Sequence, residues 1–153
     1  MIIVFIFFWN QFFSKKYKKK NIYIIMKPTI LIISNSIMEC KYISDIFSPY
    51  AGYVDYETNI TDIDDNDYNN YNIIIYDFDN IHDNNKEYLL NRIHFSSNSI
   101  KILLTENTDE EQMRTLMDLG IDIILPNPIS KDKIKHTMLV YDLITKQTEK
   151  CYN

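Results

Sequence analysis

The chain has 153 residues; setting aside the first 27 leaves 126, the size of one domain, and 46 % hydrophobic with 24 % charged residues is the balance of a soluble globular chain with a core. Two glycines, Gly52 and Gly120, exclude the glycine-rich phosphate cradles of P-loop and GxGxxG folds, and two cysteines, Cys40 and Cys151, exclude a disulfide framework or zinc knuckle and suit a reducing cytoplasm. Six lysines and no acid fall within residues 1–27, so the other 126 carry 10 basic and 21 acidic groups, a net of −11 that repels a phosphate backbone and makes nucleic acid an unexpected partner.

Residues 1–27 read as a leader. Met1 to Phe13 is apolar except for Asn10 and Gln11, too short for the roughly 20 residues that a membrane-spanning helix needs. The lysines follow the apolar run instead of preceding it, unlike a signal peptide. The leader is therefore either an interfacial anchor with a polybasic clamp, the one route to a membrane, or untranslated sequence ahead of a start at Met26.

The domain pattern begins at residue 28. Thr29 to Ser34 (TILIIS) is a continuous apolar run of strand length, as expected of a central strand covered on both faces. Asn35 or Ser36 caps a following helix, whose Ile37, Cys40, Ile43 and Phe47 recur at a helical period and which Pro49 ends. Tyr53 to Glu57 is a more polar strand at or near an edge, and the acidic, Asn-rich stretch after it holds at most a brief helix. Tyr71 to Asp77 (YNIIIYD) is a second buried strand, Asp77 to Asn85 a polar loop, and Lys86 to Phe95 a helix with Leu89, Leu90 and Ile93 inward. Ile100 to Leu104 is a third core strand. Thr108 with Glu111 fits a capping box, Met113, Leu116 and Met117 form the buried stripe behind it, and Gly120 ends that helix as its C′ residue. Ile121 to Leu125 is the last strand, Pro126-Asn127-Pro128 a rigid turn, and Ser130 to Thr145 a closing helix with Ile134, Met138 and Tyr141 along one side.

Five strands alternating with helices predict an α/β fold, a parallel sheet with helices on both faces, over residues 28–146, with 147–153 as a C-terminal tail. Sites in such sheets form beyond the carboxyl ends of the strands, here Ser34-Asn35, Asp77-Phe78-Asp79, Thr105-Glu106 and Asn127.

These strand exits resemble the receiver domain of two-component response regulators, in a degenerate, stand-alone form. YNIIIYDFD is similar to the receiver's third strand and places Asp77 at the phosphoacceptor aspartate; ILLTE is similar to the fourth, with Thr105 at the phosphoryl-binding hydroxyl; LMDLGIDIILPNPI is similar to the run from the fourth helix through the fifth strand to the proline at 128. The resemblance covers about residues 28–146 and implies the flavodoxin-like sheet order 2-1-3-4-5, a cis Asn127–Pro128 bond, and action through a protein partner, a histidine kinase or a downstream signalling protein. It also implies a contact face over 108–146, where Glu110, Arg114 and Asp118 stand opposite Lys131, Lys135 and Asp142 and could pair two copies of the chain.

The departures lie at the chemical positions. Ser34 and Asn35 stand where receivers carry two acids, Asn127 where they carry lysine, Ile124 at the aromatic switch residue, and Glu106 at a position that is usually small. Phosphorylating a carboxylate needs a hard divalent cation. Asp77, Asn35 and Asp79 are left to hold any Mg²⁺, weakly, with Ser34 a poorer donor still. Asp79 and Asp83 are otherwise solvated loop acids, and Glu106 is either solvated or leans over the pocket and raises the Asp77 pKa. The expectation is a non-enzymatic cytoplasmic module with an incomplete phosphorylation site. The alternative is a flavodoxin-like binder of a small molecule or phosphate, seated on Ser34-Asn35-Ser36 at a helix N-terminus.

Overall fold

The computed structural model describes residues 4–7, 22–25, 27–93, 98–107 and 109–151. Val4–Phe7 and Ile22–Ile25 form an antiparallel pair apart from the main sheet. The rest of the leader apart from Lys27, the His94 and Phe95 end of the expected second helix, and the Thr108 half of the expected capping box lie outside the described residues.

The main sheet has five parallel strands: β1 (Thr29–Ile33), β2 (Tyr53–Glu57), β3 (Ile73–Asp77), β4 (Ile100–Thr105) and β5 (Ile123–Pro126), in the spatial order β2-β1-β3-β4-β5. This is the expected 2-1-3-4-5 order. Ile32 pairs with Ile75, and Asp77 with Leu104, so the exits of β1, β3 and β4 finish side by side. The three inner strands are runs of isoleucine and leucine because both of their faces are covered.

Alternate residues feed two layers. On one face Ile30, Ile32, Ile73, Ile75, Ile102 and Leu104 pack against α1 (Ile37–Phe47) through Cys40, Ile43 and Phe47, and against the closing helix through Ile134, Met138 and Tyr141. On the other, Leu31, Ile33, Ile74, Tyr76 and Leu103 meet α2 (Asp83–Leu90), α3 (Glu110–Asp118) and the Asn-rich connection. That connection holds the brief helical turns Ile60–Asp62 and Asp67–Asn70, which bury Ile60 and Tyr68. Arg92 ties it to α2 by an ion pair with Asp65 while lying over the Tyr88 ring.

Several local expectations shift. The segment after Asp77 makes a 3₁₀ turn, Phe78–Asn80, and α2 starts at Asp83 because His82 already adopts the extended cap conformation. The cap of α3 is Asp109, whose carboxylate accepts the Gln112 N–H at 3.0 Å. Only Leu116 of α3 is fully buried. Met117 stands about 100° further round the helix and is 53 % exposed, so the stripe is narrower than its sequence suggests. Ile37 is half exposed, because α1 meets the sheet only from Cys40 onward. Gly120 does end α3, at φ +112°, with its own N–H on the Met117 carbonyl and the Ile121 N–H on that of Leu116. The closing helix α4 spans Lys131–Cys151, continuing past Thr145 into the expected tail. No helix among the described residues is long and apolar enough to cross a membrane.

Candidate functional site

The last residue of β3, Asp77, is a fully buried carboxylate in a backbone otherwise flanked by isoleucine and tyrosine. Three neutral side chains supply its donors. The Ser34 hydroxyl, itself buried at the exit of β1, donates to Oδ2 at 2.8 Å and accepts the Ser36 N–H at 3.1 Å. Asn80, from the turn after Asp77, donates its amide to Oδ1 at 3.2 Å, and Asn127 reaches the same oxygen at 3.4 Å from beyond β5. Burial pushes the Asp77 pKa above the usual carboxylate range; the three hydrogen bonds pull it down, and the nearby Asp79 charge adds to the rise. Glu106 is not among these influences. It is exposed, the solvated one of the two expected arrangements.

Asp79 is engaged, not merely solvated. Thr105 Oγ1 at the end of β4 donates to its Oδ1 at 2.8 Å, the Glu106 N–H to its Oδ2 at 2.7 Å, and Asn127 Nδ2 to the same Oδ2 at 3.4 Å. The Thr105 hydroxyl in turn accepts the Asn107 N–H at 3.1 Å. Thr105 is thus aimed at Asp79, and Asn127 spans both carboxylates. The peptide before Pro128 is cis, as expected.

Asn35 turns away from this cluster. Its Nδ2 donates to the Thr58 carbonyl at 2.8 Å and its Oδ1 accepts the His82 N–H at 2.8 Å, while its backbone N–H donates to the Asn80 carbonyl at 3.0 Å. It ties the exit of β1 to the loops after β2 and β3. Asn80 and the His82 amide were not foreseen; the only local signal was an asparagine three residues after Asp77, a spacing suited to a side-chain turn.

The donor set fits Mg²⁺ poorly: Asp77 and Asp79 are the only carboxylates drawn into the hydrogen-bonded cluster, each of their four oxygens already accepts a hydrogen bond, and the Asn35 carbonyl oxygen is turned to His82. Among the described residues, no group of three or more His, Cys, Asp or Glu side chains is gathered to hold a metal ion. Three acids of the Asn-rich stretch, Asp64, Asp65 and Asp67, are spent on backbone amides and Arg92.

A five-stranded parallel sheet in the order 2-1-3-4-5 with helices on both faces is the flavodoxin-like fold that response-regulator receiver domains share. Solved structures agree. The signal receiver domain of a protein assigned as a Luxo repressor from Vibrio parahaemolyticus superposes with a TM-score of 0.68 at 17 % identity, over 84 % of this chain and 99 % of that one. A CheY-like receiver domain protein from Methanospirillum hungatei gives 0.63 at 15 % identity, over 82 % and 98 %. A protein assigned to pilus assembly in Burkholderia pseudomallei also gives 0.63 at 15 %, over 78 % and 96 %. No family model and no curated protein matches the chain. At these identities the likeness is one of fold.

Proposed function

We propose that the chain is a receiver-type signalling module that works by binding a protein partner, with Asp77 at the phosphoacceptor position of an incomplete phosphorylation site. The observation that supports this reading is the Asp77 environment: the carboxylate closes the middle strand of the sheet, and the side chains that donate to it, Ser34, Asn80 and Asn127, are all neutral. Phosphoryl transfer to a carboxylate draws on cationic charge at the transferred group. Amides and a hydroxyl supply hydrogen bonds without it. The partner, a histidine kinase or a downstream signalling protein, is expected on the face of α3, β5 and α4, where Met117 and Leu139 are each 53 % exposed among Glu110, Arg114, Lys131 and Lys135; a second copy of the chain could use the same face. A phosphate-binding role for Ser34-Asn35-Ser36 draws no support, because the Ser34 hydroxyl and both ends of the Asn35 amide are used within the protein, and Ser36 caps α1 by accepting the Glu39 N–H.

Incubation with acetyl phosphate and Mg²⁺, read by intact mass, tests the chemistry. No phosphoryl adduct is expected. A Mg²⁺-dependent gain of one phosphoryl group that Asp77→Asn abolishes would overturn the incomplete-site reading. Binding to a sensor kinase of the same genome, unchanged within about twofold by Asp77→Asn, is the expected partner result; binding that requires acetyl phosphate would refute it.

A further inference from the structure

Asp79 is the one carboxylate of the pocket that the reading above leaves without a task. It is exposed, on a loop, and free by position to point into water. Instead it is held by three donors from two other strand exits: the Thr105 hydroxyl, the Glu106 N–H and the Asn127 amide. A hydroxyl, a backbone N–H and a side-chain amide converging on one anion make up an oxyanion cradle, and charge-assisted hydrogen bonds of 2.7–2.8 Å are its two short contacts. The third donor, Asn127 Nδ2, also touches Asp77, so the cradle opens directly beside the buried aspartate.

We propose that Asp79 is an internal ligand: its carboxylate fills an oxyanion cradle formed by Thr105, Glu106 N–H and Asn127, so that the exits of β3, β4 and β5 are clasped in an anion-bound arrangement and an external phosphate is shut out. The geometry of the clasp stands on its own; its consequence, that the module is held in one state without a phosphoryl group, rests on the receiver reading. The occupant that competes with Asp79 is a small oxyanion of the phosphate class, because the donors meet two oxygens of one anionic group, Thr105 on one and the Glu106 N–H with Asn127 on the other. An internal carboxylate has a large advantage here, since it is tethered two residues from Asp77 and acts at a high effective concentration.

The test is removal of the clasp. Asp79→Ala takes away the carboxylate while leaving Thr105, Glu106 N–H and Asn127 in place, and the exposed position creates no core cavity. The ¹⁵N-labelled full chain is titrated with inorganic phosphate at constant ionic strength and followed at the Glu106 amide and the Asn127 side-chain amide. In Asp79→Ala both signals are expected to shift saturably, with an apparent Kd at least about tenfold tighter than in the unsubstituted protein. Adding Thr105→Val is expected to weaken that binding again. Should Asp79→Ala disturb the sheet resonances, Asp79→Ser takes its place. A folded Asp79 variant whose Glu106 amide ignores phosphate overturns the clasp, as does an unsubstituted protein that binds phosphate equally well. Kinase binding is a separate measurement: its loss would refute the signalling role and leave the clasp standing, whereas an indifferent Asp79 variant refutes the clasp and leaves the signalling role standing.

Discussion

Replacing Asp77 with asparagine is expected to make the protein more stable at neutral pH. Asp77 is fully buried, and burial raises its pKa above the 3.8 of a free side chain. In the folded state the protonated form is therefore favoured, so the penalty for the ionised form is absent below the unfolded pKa, grows as pH rises through the window up to the folded pKa, and is complete above it. Removing a carboxylate from water costs several kcal/mol. The Ser34 bond at 2.8 Å is a strong offset, on the order of 1.5–3 kcal/mol for a donor to a charged group, but those from Asn80 at 3.2 Å and Asn127 at 3.4 Å are long. A residual penalty of about 1–2 kcal/mol is left. The Asp77→Asn side chain keeps an acceptor for the two amides and gives Ser34 a donor once the hydroxyl rotates, so it recovers most of that sum. For a domain of this size each 1 kcal/mol moves Tm by about 4 °C. Urea unfolding of both proteins, at about pH 7.5 and again near pH 4, measures the difference, and an unchanged m value confirms that stability alone has moved. A gain at neutral pH that shrinks toward acid is the expected result. A loss of stability at neutral pH, or a difference independent of pH, would refute the reasoning, because the carboxylate would then be a net contributor to the fold.

Gly120→Ala should cost about 1–2 kcal/mol in urea unfolding, because φ there is +112° and a Cβ would meet Ile93 Cγ2 at 3.4 Å; a neutral substitution would refute the strain. Asn35→Ala removes two side-chain bonds at 2.8 Å that join the loops after β1, β2 and β3, about 1 kcal/mol each, and should speed hydrogen exchange at the His82 amide while leaving that of β3 slow. The Cys40 thiol, which burial pushes up to about 11, should resist a disulfide reagent at pH 8 in a Cys151→Ser background and react at once on unfolding; rapid reaction in the folded protein would contradict its burial.

The scaffold was legible because its signals are local. TILII and IIIYD are short, isoleucine-rich runs with no alternation of apolar and polar residues, and a strand covered on both faces has to look like that. Gly120 was legible for the same reason: a helix that stops requires a residue tolerant of positive φ, and only two glycines occur in the chain. The cis bond before Pro128 came from the resemblance more than from the residues. Asp77 and its neighbours could be placed by strand spacing, but the grip on Asp79 could not. Its partners, Thr105 and Asn127, lie 26 and 48 residues away in sequence, and a loop aspartate before Asn80 has no pattern that separates a held carboxylate from a hydrated one. Asn35 meets the same limit: its residue type suggested a weak cation ligand, while the backbone groups that it satisfies, Thr58 carbonyl and His82 N–H, become neighbours only when the sheet is assembled. Met117 marks the limit of periodicity, which locates the apolar side of α3 but not how wide a strip of it the sheet covers.

The neutral residues around Asp77 also govern how the protein answers to metal. Two carboxylates about 4 Å apart repel by about 4 kcal/mol at the effective dielectric of a protein surface, so a pocket with acids at 34 and 35 beside Asp77 gains stability when a cation occupies it. With Ser34 donating at 2.8 Å and Asn35 turned outward, positions 34 and 35 add no such repulsion, and what remains comes from Asp79, whose charge is met by Thr105, the Glu106 N–H and Asn127. Millimolar Mg²⁺ should therefore leave the Tm of the protein unchanged. Ser34→Asp reverses the situation. It replaces the strongest donor to Asp77 with a like charge, should lower stability by a few kcal/mol in chelator, and should recover part of it with Mg²⁺, since a ligand at about 100 times its Kd adds about 2.7 kcal/mol. Thermal unfolding with EDTA and with Mg²⁺ distinguishes the two proteins. A rise in Tm with Mg²⁺ in the unsubstituted chain would show that Asp77 and Asp79 surrender their hydrogen bonds to a cation, and that the neutral pocket is one of two states.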